Sequence, residues 1–209
     1  MYYIILHILK FIILLFHGQP GVIGRKNISD RPVIYAATHR SWIDPIYLIL
    51  VLLPQKTAMM GKESLFKIPI IGWIIKQIHA FPVNREKPTT RTIRQATKIL
   101  TEDQMNLGIF PTGSRYSTQI KSGTAFIQKL SKADIVPVAI QPPKNLWQVL
   151  THQTGWIAFG DPIPYNSNLA YNKEDFANID QQIQAEFDRL DALINPNYQY
   201  HIPEDKRRD

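Results

Sequence analysis

The sequence predicts a single α/β domain, a mixed or mostly parallel sheet covered by helices, joined to an N-terminal membrane-embedded helix. Three observations lead there. Short apolar runs rich in β-branched and aromatic residues recur along the chain, each bounded by turn formers, as strands are. Segments with apolar residues at helical spacing alternate with them, and that alternation builds a sheet layered with helices. The 209 residues suit one core, and no internal repeat, low-complexity tract or long Gly/Ser linker divides them.

The elements follow in chain order. "MYYIILHILKFIILLF", residues 1–16, is apolar almost throughout. It has neither the basic start nor the small-residue cleavage site of a secretory signal, so it reads as retained. It is short of the roughly 20 apolar residues that cross a bilayer, and it carries His7 and Lys10. At about 100° per residue His7, Lys10 and His17 share one side of a helix, leaving a broad apolar face. Residues 1–20 are therefore expected to form a membrane-anchoring helix that lies in the interface; the alternative is a helix buried in a soluble core. Strands are expected at "PVIYAAT" (32–38), "AFPV" (80–83), "LGIFP" (107–111), "IVPVAI" (135–140) and "GWIAFG" (155–160). "SWIDPIYLILVLL" supplies a helix after the first of these. "LFKIPIIGWIIKQI" holds more apolar residues than one stripe needs, flanked by Lys67 and Lys76. Membrane contact and a fully buried helix both fit that pattern. Residues 89–105 place Ile93, Ala96 and Leu100 at helical spacing behind threonines suited to capping. Residues 175–194 align Phe176, Ile179, Ile183, Phe187, Leu190 and Ile194 in one stripe. The domain is thus expected over 21–200, with a basic tail at 201–209.

Composition narrows the chemistry. At 44% hydrophobic and 20% charged the chain is neither disordered nor fibrous, and 15 prolines against 10 glycines indicate stiff connections. A net charge of +7 and a pI near 9.5 favour an anionic partner: nucleic acid, anionic lipid or a phosphorylated substrate. The basic residues are dispersed and match no nucleic-acid-binding signature, so no nucleic acid is expected. With no cysteine, thiol nucleophiles, disulfides and thiolate metal sites are excluded. The six histidines (7, 17, 39, 79, 152, 201) are too scattered for an obvious metal site or triad, and there is no G-x-S-x-G elbow. No metal and no cofactor is expected.

Two short stretches carry the chemistry. In "THRSWID" His39 sits where a strand hands over to a helix. Residues i and i+5 of one helix are about 140° apart, so His39 and Asp44 meet only if His39 precedes the helix and Asp44 rises from its first turns. A carboxylate on one imidazole nitrogen fixes the tautomer and stabilises the imidazolium, and the other nitrogen can then take a proton from a hydroxyl. A histidine capping a helix beside a chance aspartate is the plainer alternative. In "GIFPTGSRYS" backbone N–H groups and the Arg115 guanidinium could hold an anion, where otherwise there is a simple Pro-Gly turn with a solvent-facing arginine. If the two strands are parallel neighbours, both stretches leave the carboxyl edge of the sheet, where open α/β folds place ligands.

At this point the chain resembles a family, the glycerophospholipid acyltransferases and in particular the bacterial 1-acyl-sn-glycerol-3-phosphate acyltransferases. "HRSWID" is similar to the N-H-x-x-x-x-D block, "GKESLFKIPIIGWIIKQIHAFPVNR" to the second block ending in arginine, "FPTGSR" to F-P-E-G-T-R, and "IVPVAI" to the closing V-P-V strand. The ordered set covers about residues 22 to 140. The resemblance implies His39 as base, Asp44 as its orienting partner, Lys62, Arg85 and Arg115 as the residues that bind the acceptor phosphate, and Thr112, Gly113 and Ser114 as the acceptor-binding turn. It implies acyl transfer to the sn-2 hydroxyl of 1-acyl-glycerol-3-phosphate, with acyl-CoA or acyl carrier protein as co-substrate. It also implies membrane phospholipid and lysophospholipid as partners and a monotopic place on the cytoplasmic face of the cell membrane. Three positions depart from the pattern. Thr38 stands where Asn is frequent, though either side chain can bond the local turn. Ser114 replaces Thr and keeps the hydroxyl. Thr112 replaces the usual Glu, and a neutral hydroxyl supplies neither a carboxylate's charge nor its acceptor capacity. Another lysolipid or amphiphilic acceptor, or a non-catalytic lipid-binding protein of the same fold, therefore stands as the alternative.

Such a reaction needs no enzyme nucleophile. An acyl thioester already carries a good leaving group, so a base at the hydroxyl, donors for the developing oxyanion and two substrates in register suffice.

Overall fold

The computed structural model describes residues 1–84, 89–143 and 155–207. In chain order it contains α1 (Tyr2–His17), β1 (Gly21–Ile23), β2 (Ile34–Ala37), α2 (Asp44–Val51), β3 (Thr57–Lys62), α3 (Pro69–Gln77), β4 (Phe81–Val83), α4 (Thr90–Thr101), β5 (Asn106–Ile109), α5 (Gly123–Ser131), β6 (Ile135–Gln141), β7 (Trp156–Phe159) and α6 (Lys173–Ile194). The strands form one seven-stranded sheet ordered β1-β7-β6-β2-β5-β3-β4. From β6 to β4 neighbouring strands run parallel; β7 turns against β6, and β1 follows β7. This is the expected α/β domain with a mostly parallel, mixed sheet.

β2 shows why the sheet is layered. Paired on both edges and covered on both faces, it reads as a continuous apolar run rather than an alternation. Its side chains still point to opposite sides. Ile34 and Ala36 join Ala96 of α4, Ile127 of α5 and Ile183 of α6, while Tyr35 and Ala37 join Leu48 of α2 and Leu6 of α1. α4 starts on a Thr89 side chain that accepts the Thr92 N–H at 3.3 Å, and α6 starts on a capping box between Asn172 and Asp175. Ile179, Ile183, Phe187 and Leu190 of the expected stripe are buried.

α1 is built into the domain along one side only. Tyr2, Leu6 and Ile13 are buried in the core, and burial of Leu6 and Ile13 contributes about 1.5–3 kcal/mol each. The Tyr2 hydroxyl accepts the Thr57 N–H at 3.1 Å and Tyr3 donates to the Pro54 carbonyl at 3.1 Å, pinning the helix to the body. The opposite side leaves Ile4, Ile8, Phe11 and Leu15 exposed. Among the described residues no helix is long and apolar enough to cross a membrane. α3 lies beside α1. Only its Gly72 is buried while Ile70, Ile71 and Trp73 are exposed, so the fully buried reading of this helix does not hold.

Three elements escape the sequence pattern. β3, "TAMMGK", has in Thr57 its one β-branched residue and no aromatic, and it is extended because β5 and β4 pair with its two edges. β1 is only three residues long. α5 has nine residues and no side-chain cap.

Candidate active site

β2, β5, β3 and β4 are parallel neighbours, so the residues that follow them emerge at one edge of the sheet. β2 delivers Thr38 and His39, β5 delivers Phe110 to Thr112, β3 ends on Lys62, and β4 runs toward Arg85, which lies outside the described residues. Among the described residues, the stretches that follow β2, β5 and β3 are thereby set in a row.

His39 precedes α2 and Asp44 opens it, the arrangement the spacing required. The fully buried Asp44 carboxylate takes the His39 Nδ1 at 3.1 Å. The same Oδ2 accepts the backbone N–H groups of Arg40 and Ser41, both at 2.6 Å. At the first turn of a helix a carboxylate is further favoured by the helix dipole. With Asp44 as acceptor, Nδ1 carries the proton of a neutral His39 and Nε2 is the basic nitrogen. The ring stacks on Phe110, centroids 4.1 Å apart at 20°, which holds its plane. Thr38 does not bond its own turn as anticipated. Its hydroxyl accepts the Ile140 N–H at 2.9 Å, tying the end of β2 to β6.

The second stretch is a tight turn. Gly113 has φ 68°, a left-handed conformation that suits glycine, and its N–H reaches the Phe110 carbonyl at 2.9 Å. The Thr112 hydroxyl donates to the Ser114 carbonyl at 2.9 Å, and the Ser114 hydroxyl accepts the Tyr116 N–H at 3.1 Å. Arg115 lies over the Tyr116 ring at 5.5 Å. A cleft of about 580 Å³ opens here, lined by Lys62, Lys67, Arg115 and Lys121 together with Glu63 and residues 112–117. A cavity of about 140 Å³ lies against His39, Arg40, Thr112, Ser117, Thr118 and Tyr200. Thr112 and Ser117 line both, so the cavity at His39 and the basic cleft share a wall. A third, apolar cavity of about 100 Å³, among Met60, Val83, Ile93, Phe110 and Ile127, meets the cleft at Gly113 and Lys121.

Sequence reasoning missed Lys121 and Arg40. Lys121 reaches the turn because its own N–H bonds the Pro111 carbonyl at 3.1 Å, a loop contact that no spacing rule signals. Arg40 stands beside His39 yet faces away from the basic cleft. Its guanidinium holds the Ile140 carbonyl at 2.9 Å and grips Asp191 of α6 with two nitrogens. Its charge is neutralised within the fold. Among the described residues there is no group of three or more His, Asp or Glu that could hold a metal ion.

Comparison with known proteins gives a consistent result. The family model described as Acyltransferase matches residues 19–141. A 1-acyl-sn-glycerol-3-phosphate acyltransferase of Streptococcus pneumoniae is 35% identical over 163 residues, 78% of this chain and 62% of that protein. The enzyme of the same name from Bacillus subtilis is 33% identical over 191 residues, 87% of this chain and 95% of that protein. The chain therefore spans less than two thirds of the length of the first relative and nearly all of the second. The crystal structure of the 1-acyl-sn-glycerophosphate (LPA) acyltransferase from Thermotoga maritima shares the fold, with a TM-score of 0.66 over 94% of this chain and 82% of that one at 23% identity.

Proposed function

The chain belongs to the acyltransferase family, and on that premise we propose that it moves a fatty acyl group from an acyl thioester to the sn-2 hydroxyl of 1-acyl-glycerol-3-phosphate, giving phosphatidic acid. The observation that carries this reading is the shared wall: Thr112 and Ser117 border both the His39 cavity and the basic cleft. In this mechanism the His39 Nε2 takes the proton of the acceptor hydroxyl as its oxygen attacks the thioester carbonyl. The carbon–sulfur bond then breaks, and the imidazolium returns the proton to the departing thiolate. Asp44 holds the ring and stabilises its transient charge. Lys62, Arg85 and Arg115, joined by Lys121, provide the field that retains the acceptor phosphate. The apolar cavity at Gly113 suits the carbon atoms next to a thioester. Acyl-CoA and acyl carrier protein are both acidic and suit the basic surface.

We place the protein on a membrane as a monotopic enzyme. Ile4, Ile8, Phe11 and Leu15 of α1 and Ile70, Ile71 and Trp73 of α3 are exposed on two adjacent helices, with Lys67 and Lys76 at hand for headgroups. Charging Phe11 and Ile70 together (Phe11→Asp, Ile70→Asp) should lower flotation with anionic vesicles about tenfold or more.

Thr112 supports a second reading, transfer to another lysolipid. Its hydroxyl is committed to the Ser114 carbonyl and the position offers no carboxylate to an acceptor. Purified protein incubated with one acyl thioester and a panel of lysolipids, with His39→Ala as control, separates the two. Phosphatidic acid as the main product supports the first; a product from a different lysolipid alone replaces it; no product that depends on His39 removes both.

A further inference from the structure

The segment that follows α6, "NPNYQY" (195–200), turns back across the carboxyl edge of the sheet. Its turn is fixed locally, by the Tyr198 N–H on the Asn195 carbonyl at 2.9 Å and the Asn197 N–H on the Asn195 side chain at 3.0 Å. Tyr198 and Tyr200 then sit over the Arg40 guanidinium, 4.9 and 5.8 Å from its carbon. Arg40 is itself clamped to Asp191, and Gln141 holds the same carboxylate at 3.0 Å. The segment thus rests on a fixed platform. Its last ring carries a hydroxyl that reaches the Arg115 carbonyl at 2.7 Å, with the Arg40 carbonyl at 3.3 Å as a weaker second acceptor. Those carbonyls belong to the basic turn and to the residue next to His39. Tyr200 also stands between two spaces, lining the cavity at His39 and, on its other side, a cleft of about 520 Å³ with Tyr198, Pro142 and Pro143. The segment itself lies beyond residues 19–141, the part matched by the family model, although the groups it holds lie within them.

We propose that Tyr200 is a positioning residue whose hydroxyl, held on the Arg115 carbonyl, sets the basic turn against the base, so that the segment after α6 completes the acceptor site. The inference rests on the reading of Arg115 as a phosphate-binding residue. A guanidinium works on a phosphate only when its fork is presented correctly, and the backbone that carries it has one strong anchor from outside its own turn in this hydroxyl. Burial raises the Tyr200 pKa, foremost among its causes, so the hydroxyl stays a donor across the physiological range. The ring, resting on Arg40, keeps the donor aimed.

Tyr200→Phe removes the donor and keeps the ring. Its effect is read as equilibrium binding of 1-acyl-glycerol-3-phosphate, and of the phosphate-free 1-acyl-glycerol, presented in the same detergent micelles without acyl donor. Because no acyl transfer occurs, the assay stays readable whether or not His39 is the base. The phosphorylated lipid should bind about 3- to 10-fold more weakly, the range of one neutral hydrogen bond, while the phosphate-free lipid is unaffected. In an Arg115→Ala background the same substitution should change the affinity by less than about twofold, since residues that act through one another are not additive. Equal weakening for both lipids, no weakening for either, or an undiminished loss in the Arg115→Ala protein would overturn the proposal. If Arg115→Ala alone leaves phosphate-dependent binding intact, the underlying reading of Arg115 falls instead.

Discussion

The cavity at His39 and the cleft at Arg115 share a wall and are built in opposite ways. Around His39 the groups are held by contacts: Asp44 is fully buried with three donors on one oxygen, and Phe110 supports the ring plane. Around Arg115 the space is four times larger. The lysines at 62, 67 and 121 are exposed, and Lys62 and Lys121 make no ion pair among the described residues. The difference fits the two tasks proposed for them. Proton transfer depends on tenths of an ångström and on a correct tautomer, so its residues are preorganised. In the proposed retention of an anionic headgroup, exposed lysines add summed charge that tolerates varied approach, around one guanidinium whose backbone is held by Tyr200.

That contrast can be broken by experiment. The largest effect belongs to the fixed region: His39→Ala should lower kcat by about 10²–10⁴-fold while the protein remains folded and vesicle-bound. Near-normal turnover would end the assignment of the base. Arg115→Ala should act on the other parameter, raising the acceptor KM several-fold to about a hundredfold with little loss of kcat. An equal loss of kcat in both variants would erase the distinction between the regions. Salt sharpens it further. Raising ionic strength from ~50 to ~500 mM should weaken acceptor KM by roughly threefold and leave kcat at saturation nearly unchanged, because exposed charges are screened and buried pairs are not. The smallest effect lies outside both regions. His79 stacks on Tyr2 at 4.8 Å and burial lowers its pKa from the usual 6.5. The folded protein then binds fewer protons here than the unfolded chain. Its contribution is complete above about pH 6.5 and is lost as pH falls through the lowered value. Acid should therefore reduce the thermal midpoint slightly in the wild type and less in His79→Gln.

The sequence made the fixed region more legible than the open one. His39 and Asp44 are local, five residues apart, and a strand-to-helix boundary between an apolar run and a proline brings them together. β2 and β6 likewise announce themselves through Ile, Val and Tyr. The open region is assembled from afar. Lys121 arrives by a loop contact to Pro111, and Tyr200 is 85 residues beyond the carbonyl it holds. Nothing in "NPNYQY" distinguishes a strap across a site from a loose tail. β3 was hidden for a related reason: Met and Ala have little intrinsic preference for strands, and only the partners on either side make "TAMMGK" extended. Arg40 shows the reverse error available to a reader of motifs. It sits inside "HRSWID", yet its charge serves the architecture by fastening α6.

The double character of α1 bears on how the molecule could be handled. A preparation trimmed to start after residue 20, in the hope of a detergent-free sample, would vacate the seats of Leu6 and Ile13 and leave the Thr57 amide without the Tyr2 oxygen. Greasy interior would then face water in place of the greasy exterior that trimming removed. Solubilising changes belong on Ile4, Ile8, Phe11 and Leu15, where polarity can be altered with the fold's inner surface untouched.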